Sequence, residues 1–173
     1  FQPPTALQQA VTRAMADGHN QYAPMAGNVR LREWIAQEIE SRTGTVYDVE
    51  SEITVGAGAS SLLFATIQAL IQRGDEAMVL TPCYDLYEPA VNLAGGTVVS
   101  VPLKADSHRL DMEAIAQAWT SRTKLIIVNV PNNPSGAIWS RADLTALAHF
   151  LKKKQAFLVS DEVYGPMVYD GQK

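Results

Sequence analysis

Apolar residues along this chain keep changing their spacing. Leu31, Trp34, Ile35 and Ile39 lie three and four apart, which predicts an amphipathic helix reaching about Arg42. An earlier helix is expected over residues 5–16, after Pro3-Pro4, with a loop at 22–28 that holds Pro24 and Gly27. Short apolar runs then take turns with helical ones. Ile53-Thr54-Val55 reads as a strand entering Gly56-Ala57-Gly58, and Leu63, Ile67, Leu70 and Ile71 mark a helix closed by Gly74. Further strands are predicted at 77–80, 97–101, 125–130 and 157–159, with helices at about 84–93 and at 111–119. Ser140-x-x-Asp143 resembles a capping box with Asp in place of the usual Glu, and Leu144, Leu147, Ala148 and Leu151 follow on one helical face.

Strands alternating with helices at this rhythm predict parallel βα units and an α/β fold. The strands are continuous apolar runs, as burial on both faces requires. In such sheets ligands bind beyond the carboxyl ends of the strands. Chemistry is therefore expected just after Val55, Leu80, Val130 and Ser160, and polar or glycine-rich segments lie at all four places.

The bulk numbers narrow the function classes. A chain of 173 residues can bury a core, and 47% hydrophobic with 18% charged residues is not the composition of a disordered segment. A formal net charge of −4 argues against nucleic acid as a partner. The basic run Lys152-Lys153-Lys154 falls at a predicted helix end, where cations complement the dipole. No apolar run approaches the ~20 residues of a membrane span, and no signal peptide is visible. The single cysteine, Cys83, excludes an internal disulfide and fits a reducing, cytoplasmic location. His19, His108 and His149 are scattered and form no metal set. The chain opens on Phe1 with no initiator methionine, so the true start is expected to lie upstream.

Four segments carry chemistry. Gly56-Ala57-Gly58-Ala59-Ser60-Ser61, between a strand and a helix, can offer backbone amides to an anion, or can be a tight turn with an N-cap. Tyr84, in Thr81-Pro82-Cys83-Tyr84, can stack on a flat ligand or pack as core. The proline-stiffened loop Asn129-Val130-Pro131-Asn132-Asn133-Pro134-Ser135-Gly136 can fix an asparagine amide as a donor. In Ser160-Asp161-Glu162-Val163-Tyr164, an acid at a strand end can hold a ring nitrogen protonated, and a phenol three residues on can bond an oxygen of the same ring. The same acids can also simply cap a helix. Taken together these segments suit a flat, phosphorylated, nitrogen-containing ring, and pyridoxal 5′-phosphate is such a group. No nicotinamide or flavin fingerprint is present.

The chain resembles the class I/II aminotransferases of the pyridoxal-phosphate fold type I, and within them the methionine, aromatic and kynurenine branch. The motifs are Tyr22-x-Pro24-x-x-Gly27-x-x-x-Leu31-Arg32, Gly58-Ala59-Ser60, Pro82-x-Tyr84-x-x-Tyr87, Asn132-Asn133-Pro134-Ser135-Gly136 and Ser160-Asp161-Glu162-Val163-Tyr164. The resemblance implies a three-layer α/β/α sandwich with a mostly parallel sheet. An N-terminal segment would occupy residues 1–21 and part of a cofactor-binding large domain residues 22–173. It implies that Gly58, Ala59 and Ser60 hold the cofactor phosphate, that Tyr84 stacks on the pyridine, and that Asn133 and Tyr164 bond the ring oxygen. Asp161 would pair with the ring nitrogen, and Asp161 and Tyr164 would be the catalytic pair in this stretch. Tyr22 would reach the phosphate of a neighbouring subunit in a homodimer with shared sites. Gly27, with Asn133, would face the substrate.

The implied reaction moves an amino group from an amino acid, methionine or aromatic, to a 2-oxo acid. The family's cofactor-anchoring lysine has no counterpart among Lys104, Lys124, Lys152, Lys153, Lys154 and Lys173. That lysine, the arginine that grips the substrate carboxylate, further strands and the small domain are expected outside these residues, leaving this chain inactive alone. A carbon–sulfur β-lyase would share every motif, and a non-catalytic fragment or a cofactor-sensing domain is a further alternative.

Overall fold

The computed structural model of the chain describes residues 1–169. Two compact units are present, Phe1–Gly56 and Ala57–Lys173.

In the second unit the apolar runs become β1 (Glu76–Thr81), β2 (Thr97–Pro102), β3 (Thr123–Asn129) and β4 (Phe157–Asp161). All neighbouring strands pair in parallel, in the order β2-β1-β3-β4. The helices of this unit are α3 (Ala59–Leu70), α4 (Tyr87–Leu93), α5 (Met112–Ala118) and α6 (Arg141–Leu151).

Strand geometry explains why the central runs contain no polar alternation. Successive side chains of a strand point to opposite faces. On one face, Ala77 and Val79 of β1 and Leu125 and Ile127 of β3 pack with Leu63 and Ile67 of α3 and with Tyr87, Ala90 and Val91 of α4. On the other, Met78, Leu80, Ile126 and Val128 pack with Ile115 of α5, Leu147 of α6 and Trp139. Each fully buried Ile or Leu contributes about 1.5–3 kcal/mol relative to exposure. The result is the expected three-layer α/β/α arrangement. β4 lies at the sheet edge, where Phe157 and Leu158 are 57% and 48% exposed.

Two expectations need correction. Residues 53–55 do not form a strand: among the described residues the segment has no ladder partner, and Val55 N–H donates 2.9 Å to the Ala26 carbonyl. Ile53 is nonetheless buried, so its apolar signal reported burial and not pairing. Helix α4 starts at Tyr87, not at 84, because the segment after Pro82 is a loop that carries Tyr84.

The unit Phe1–Gly56 holds α1 (Thr5–Ala16) and α2 (Val29–Thr43). Asn28 caps α2 by accepting from Leu31 N–H, and Gly44 ends it in the left-handed region at φ 73°. Arg32 is buried and donates to the carbonyls of Gly27 and Val49. No helix among the described residues is long and apolar enough to cross a membrane.

The capping box of α6 forms in full, with Ser140 accepting from Asp143 N–H and Asp143 accepting from Ser140 N–H. Arg109 adds a two-pronged bond to the same carboxylate at 3.1 and 2.7 Å. The Arg109 guanidinium, and then Ser140, hold the Asp143 carboxyl down to about 2, against an opposing push from burial. A folded value below the ordinary 3.8 means this stabilisation is complete above about pH 4 and drains away as pH falls through about 2. Asp143→Asn is expected to cost about 1 kcal/mol at neutral pH. Thermal unfolding of parent and variant should converge as pH drops towards 2, and a pH-independent difference refutes the assignment.

Candidate active site

The carboxyl ends of β1, β3 and β4 and the amino end of α3 surround one cavity of about 150 Å³. Ala59, Ser60, Tyr84, Asn133, Asp161 and Tyr164 line it, and Leu63, Asn129 and Val163 complete the wall. Six of the residues singled out from sequence are thus brought together from segments spread over a hundred positions.

Gly58 precedes α3 at φ 93°, ψ 158°, a conformation open essentially only to glycine. No side chain caps this helix; the Ser61 hydroxyl instead donates 2.9 Å to the Gly58 carbonyl. Uncapped amides at a helix start, reinforced by the dipole, make a positive end suited to an anion. The Ser60 hydroxyl stands 3.3 Å from the Tyr84 hydroxyl.

Asp161 ends β4 and is 8% exposed. One carboxylate oxygen accepts from the Tyr87 hydroxyl at 2.7 Å and the other from Val163 N–H at 3.2 Å. No lysine, arginine or histidine among the described residues pairs with it. Glu76 behaves differently: it is also buried, but Thr120 and Arg122 bond it and hold its carboxyl below the usual range. An acid enclosed without a cation is costly, and a cationic ligand would relieve it.

The asparagine loop is tied to this acid. Asn129, at the end of β3, donates 2.9 Å to the Asp161 carbonyl and accepts 2.6 Å from Asn133 N–H. The Asn133 side-chain amide donates to the Tyr164 hydroxyl at 3.4 Å. Asn132 accepts from the Ser135 hydroxyl at 2.6 Å and donates 3.3 Å to the Pro82 carbonyl, linking this loop to the one that carries Tyr84. Burial first, and then the acids Glu88 and Asp85, push the Cys83 thiol up, which disfavours a nucleophilic thiolate.

Tyr22 and Gly27 belong to the unit Phe1–Gly56. Tyr22 is fully exposed. Gly27, at φ 100°, sits in a turn where an added Cβ would come 2.6 Å from the Val55 Cβ, so local packing also demands glycine there. Lys173 lies outside the described residues. Tyr87, Asn129 and Asn132 have no role expected from the sequence, although all three stand inside the chemistry-bearing segments and motifs. A polar residue closing an apolar strand, the signal that exposed Asp161, applies equally to Asn129.

The chain matches the family model Aminotransferase class I and II over residues 1–173 and belongs to that family. Methionine aminotransferase of Escherichia coli (strain K12) is 43% identical over 164 residues, covering 95% of this chain and 42% of that protein. The structure of N-succinyldiaminopimelate aminotransferase from Mycobacterium tuberculosis matches with TM-score 0.95 at 36% identity, over 100% of this chain and 46% of that one. Aromatic aminotransferase from Pyrococcus horikoshii OT3 matches with TM-score 0.95 at 33% identity, over 100% and 47%. The chain spans less than half the length of these relatives.

Asn129→Ala is expected to lower stability by about 2 kcal/mol, since it leaves the half-buried Asn133 amide without its acceptor and the Asp161 carbonyl with Val130 N–H alone. Chemical denaturation measures this, and a change under 0.5 kcal/mol refutes the bridging role.

Proposed function

We propose that this chain carries the cofactor-binding part of a pyridoxal 5′-phosphate-dependent aminotransferase. The amino donor is methionine or an aromatic amino acid and the acceptor a 2-oxo acid. The carrying observation is the single cavity in which an uncapped helix start, a half-buried phenol ring, two side-chain donors and a buried acid with no cationic partner among the described residues meet. Those are the complements of a phosphate, a ring face, a ring oxygen and a protonated ring nitrogen.

When bound, pyridoxal 5′-phosphate supplies an electron-poor ring that stabilises the electron pair left as the substrate's α-carbon loses its proton. The amides of Gly58, Ala59 and Ser60, with the Ser60 hydroxyl, bind the phosphate. Tyr84 covers one ring face. Asn133 and Tyr164, already hydrogen-bonded to each other, orient the ring oxygen. The Asp161 carboxylate, which accepts from Tyr87 and Val163, would pair with the ring nitrogen. Asn133 would also face the substrate. Tyr22 reaches the phosphate of a neighbouring subunit in a homodimer, a role that its complete exposure supports.

None of Lys104, Lys124, Lys152, Lys153 and Lys154 lines the cavity, so we place the cofactor-anchoring lysine elsewhere in the family's length and take this chain alone to be inactive. The donor class rests on the names of the methionine and aromatic relatives, and a cytoplasmic location on the unpaired Cys83.

Asp161→Asn in the whole enzyme, at saturating cofactor, is expected to cut turnover of methionine with a 2-oxo acid at least roughly hundredfold. Unchanged turnover rejects the role of Asp161. Release of pyruvate and ammonia from cystathionine with no 2-oxo acid present would instead make the protein a lyase on this fold.

A further inference from the structure

Tyr87 stands in the motif Pro82-x-Tyr84-x-x-Tyr87, yet none of the roles above uses it. It opens α4, is 1% exposed, and packs its ring among Leu63, Ile67, Ala77 and Val79. A phenylalanine would fill that space equally well. Among the described residues the tyrosine's hydroxyl makes one hydrogen bond: it donates 2.7 Å to Asp161, 74 positions further along the chain. The Tyr87 ring also meets the Tyr84 ring edge-on, with centroids 5.9 Å apart and planes at 84°.

We propose that Tyr87 is a positioning residue, which fixes the Asp161 carboxylate in the plane and direction needed to meet the ring nitrogen of pyridoxal 5′-phosphate. The inference rests on the cofactor reading above.

An aspartate at a strand end can rotate about two side-chain bonds. Here one oxygen is held by a phenol embedded in the core and the other by the backbone amide of Val163. Each oxygen keeps a second lone pair free. Orientation is thus established before any ligand arrives, and binding does not have to supply that ordering. A phenol carries one proton and, unlike lysine or arginine, adds no positive charge. It can therefore steady the acid without neutralising it, and the carboxylate's charge remains directed at the ligand. Burial, followed by the bond and charge of Asp161, pushes the Tyr87 phenol up, so it remains a donor throughout the neutral range.

The test uses the whole enzyme stripped of cofactor, with Tyr87→Phe compared to parent. Equilibrium dialysis measures binding of pyridoxal 5′-phosphate and of an analogue whose ring nitrogen is replaced by C–H. The expected result is a loss of roughly tenfold for the natural cofactor and no more than about twofold for the analogue. Equal loss for both probes makes Tyr87 a packing residue and overturns the proposal. If the parent itself fails to prefer the natural cofactor over the analogue, the pairing of Asp161 with the ring nitrogen falls, and both readings fall with it. Tyr87→Phe leaves a buried charge with one fewer partner, so the pair Asp161→Asn and Tyr87→Phe/Asp161→Asn guards against a variant that does not fold. In that background the added Phe should not weaken cofactor binding further. An additional loss there overturns the proposal.

Discussion

A carboxylate enclosed at the end of a strand, with a phenol and an amide but no cation among the described residues for company, is the constraint around which this unit is arranged. Hydrogen bonds to a charged group contribute about 1.5–3 kcal/mol each. The cost of removing an ion from water is several kcal/mol even after the protein relaxes. Tyr87 and Val163 together offset a burial cost of the same order at Asp161. Glu76, at the opposite end of the sheet, has Arg122 beside it. The two buried acids show the difference between a charge that the fold has neutralised and one that it has left directed at a cavity.

The layers exist to hold that acid still. β1 and β3 are buried on both faces, so their C-terminal ends emerge at fixed positions. Asn129 then joins the asparagine loop to the backbone of Asp161, and Asn132 joins the same loop to the turn after β1. The segments that carry Tyr84, Asn133 and Asp161 are in this way tied to one another by side-chain amides, not left as independent loops. Tyr87 adds a third tie, from the core itself, touching both Tyr84 and Asp161.

Much of this arrangement was legible in the order of residues. Continuous apolar runs marked β1 to β4, and Ser140-x-x-Asp143 announced the start of α6. The Ala59-Ser60 turn, and the acid and asparagines at strand ends, pointed to the lining of the cavity. Residues 53–55 misled because a short apolar run reports burial, whereas a strand needs a partner, and pairing is not encoded in the run itself. The start of α4 was misplaced because the turn after Pro82 holds Tyr84 out of the helix. Tyr87 escaped notice for a different reason. Its ring satisfies an apolar pattern, and the partner of its hydroxyl lies 74 residues away. Bonds of that range appear only when the chain has closed upon itself.

The bare start of α3 has a wider implication. Most helices satisfy their first amides from within the chain, but here Gly58 supplies no side chain to do so. On the proposed reading, a small molecule made from vitamin B6 completes this helix and quiets the acid opposite. Any ligand that binds only the native form raises the free energy of unfolding in proportion to the logarithm of its concentration. Loading of the site would thus set what share of the polypeptide is folded at any moment, and an empty site would leave more of it open to proteolysis.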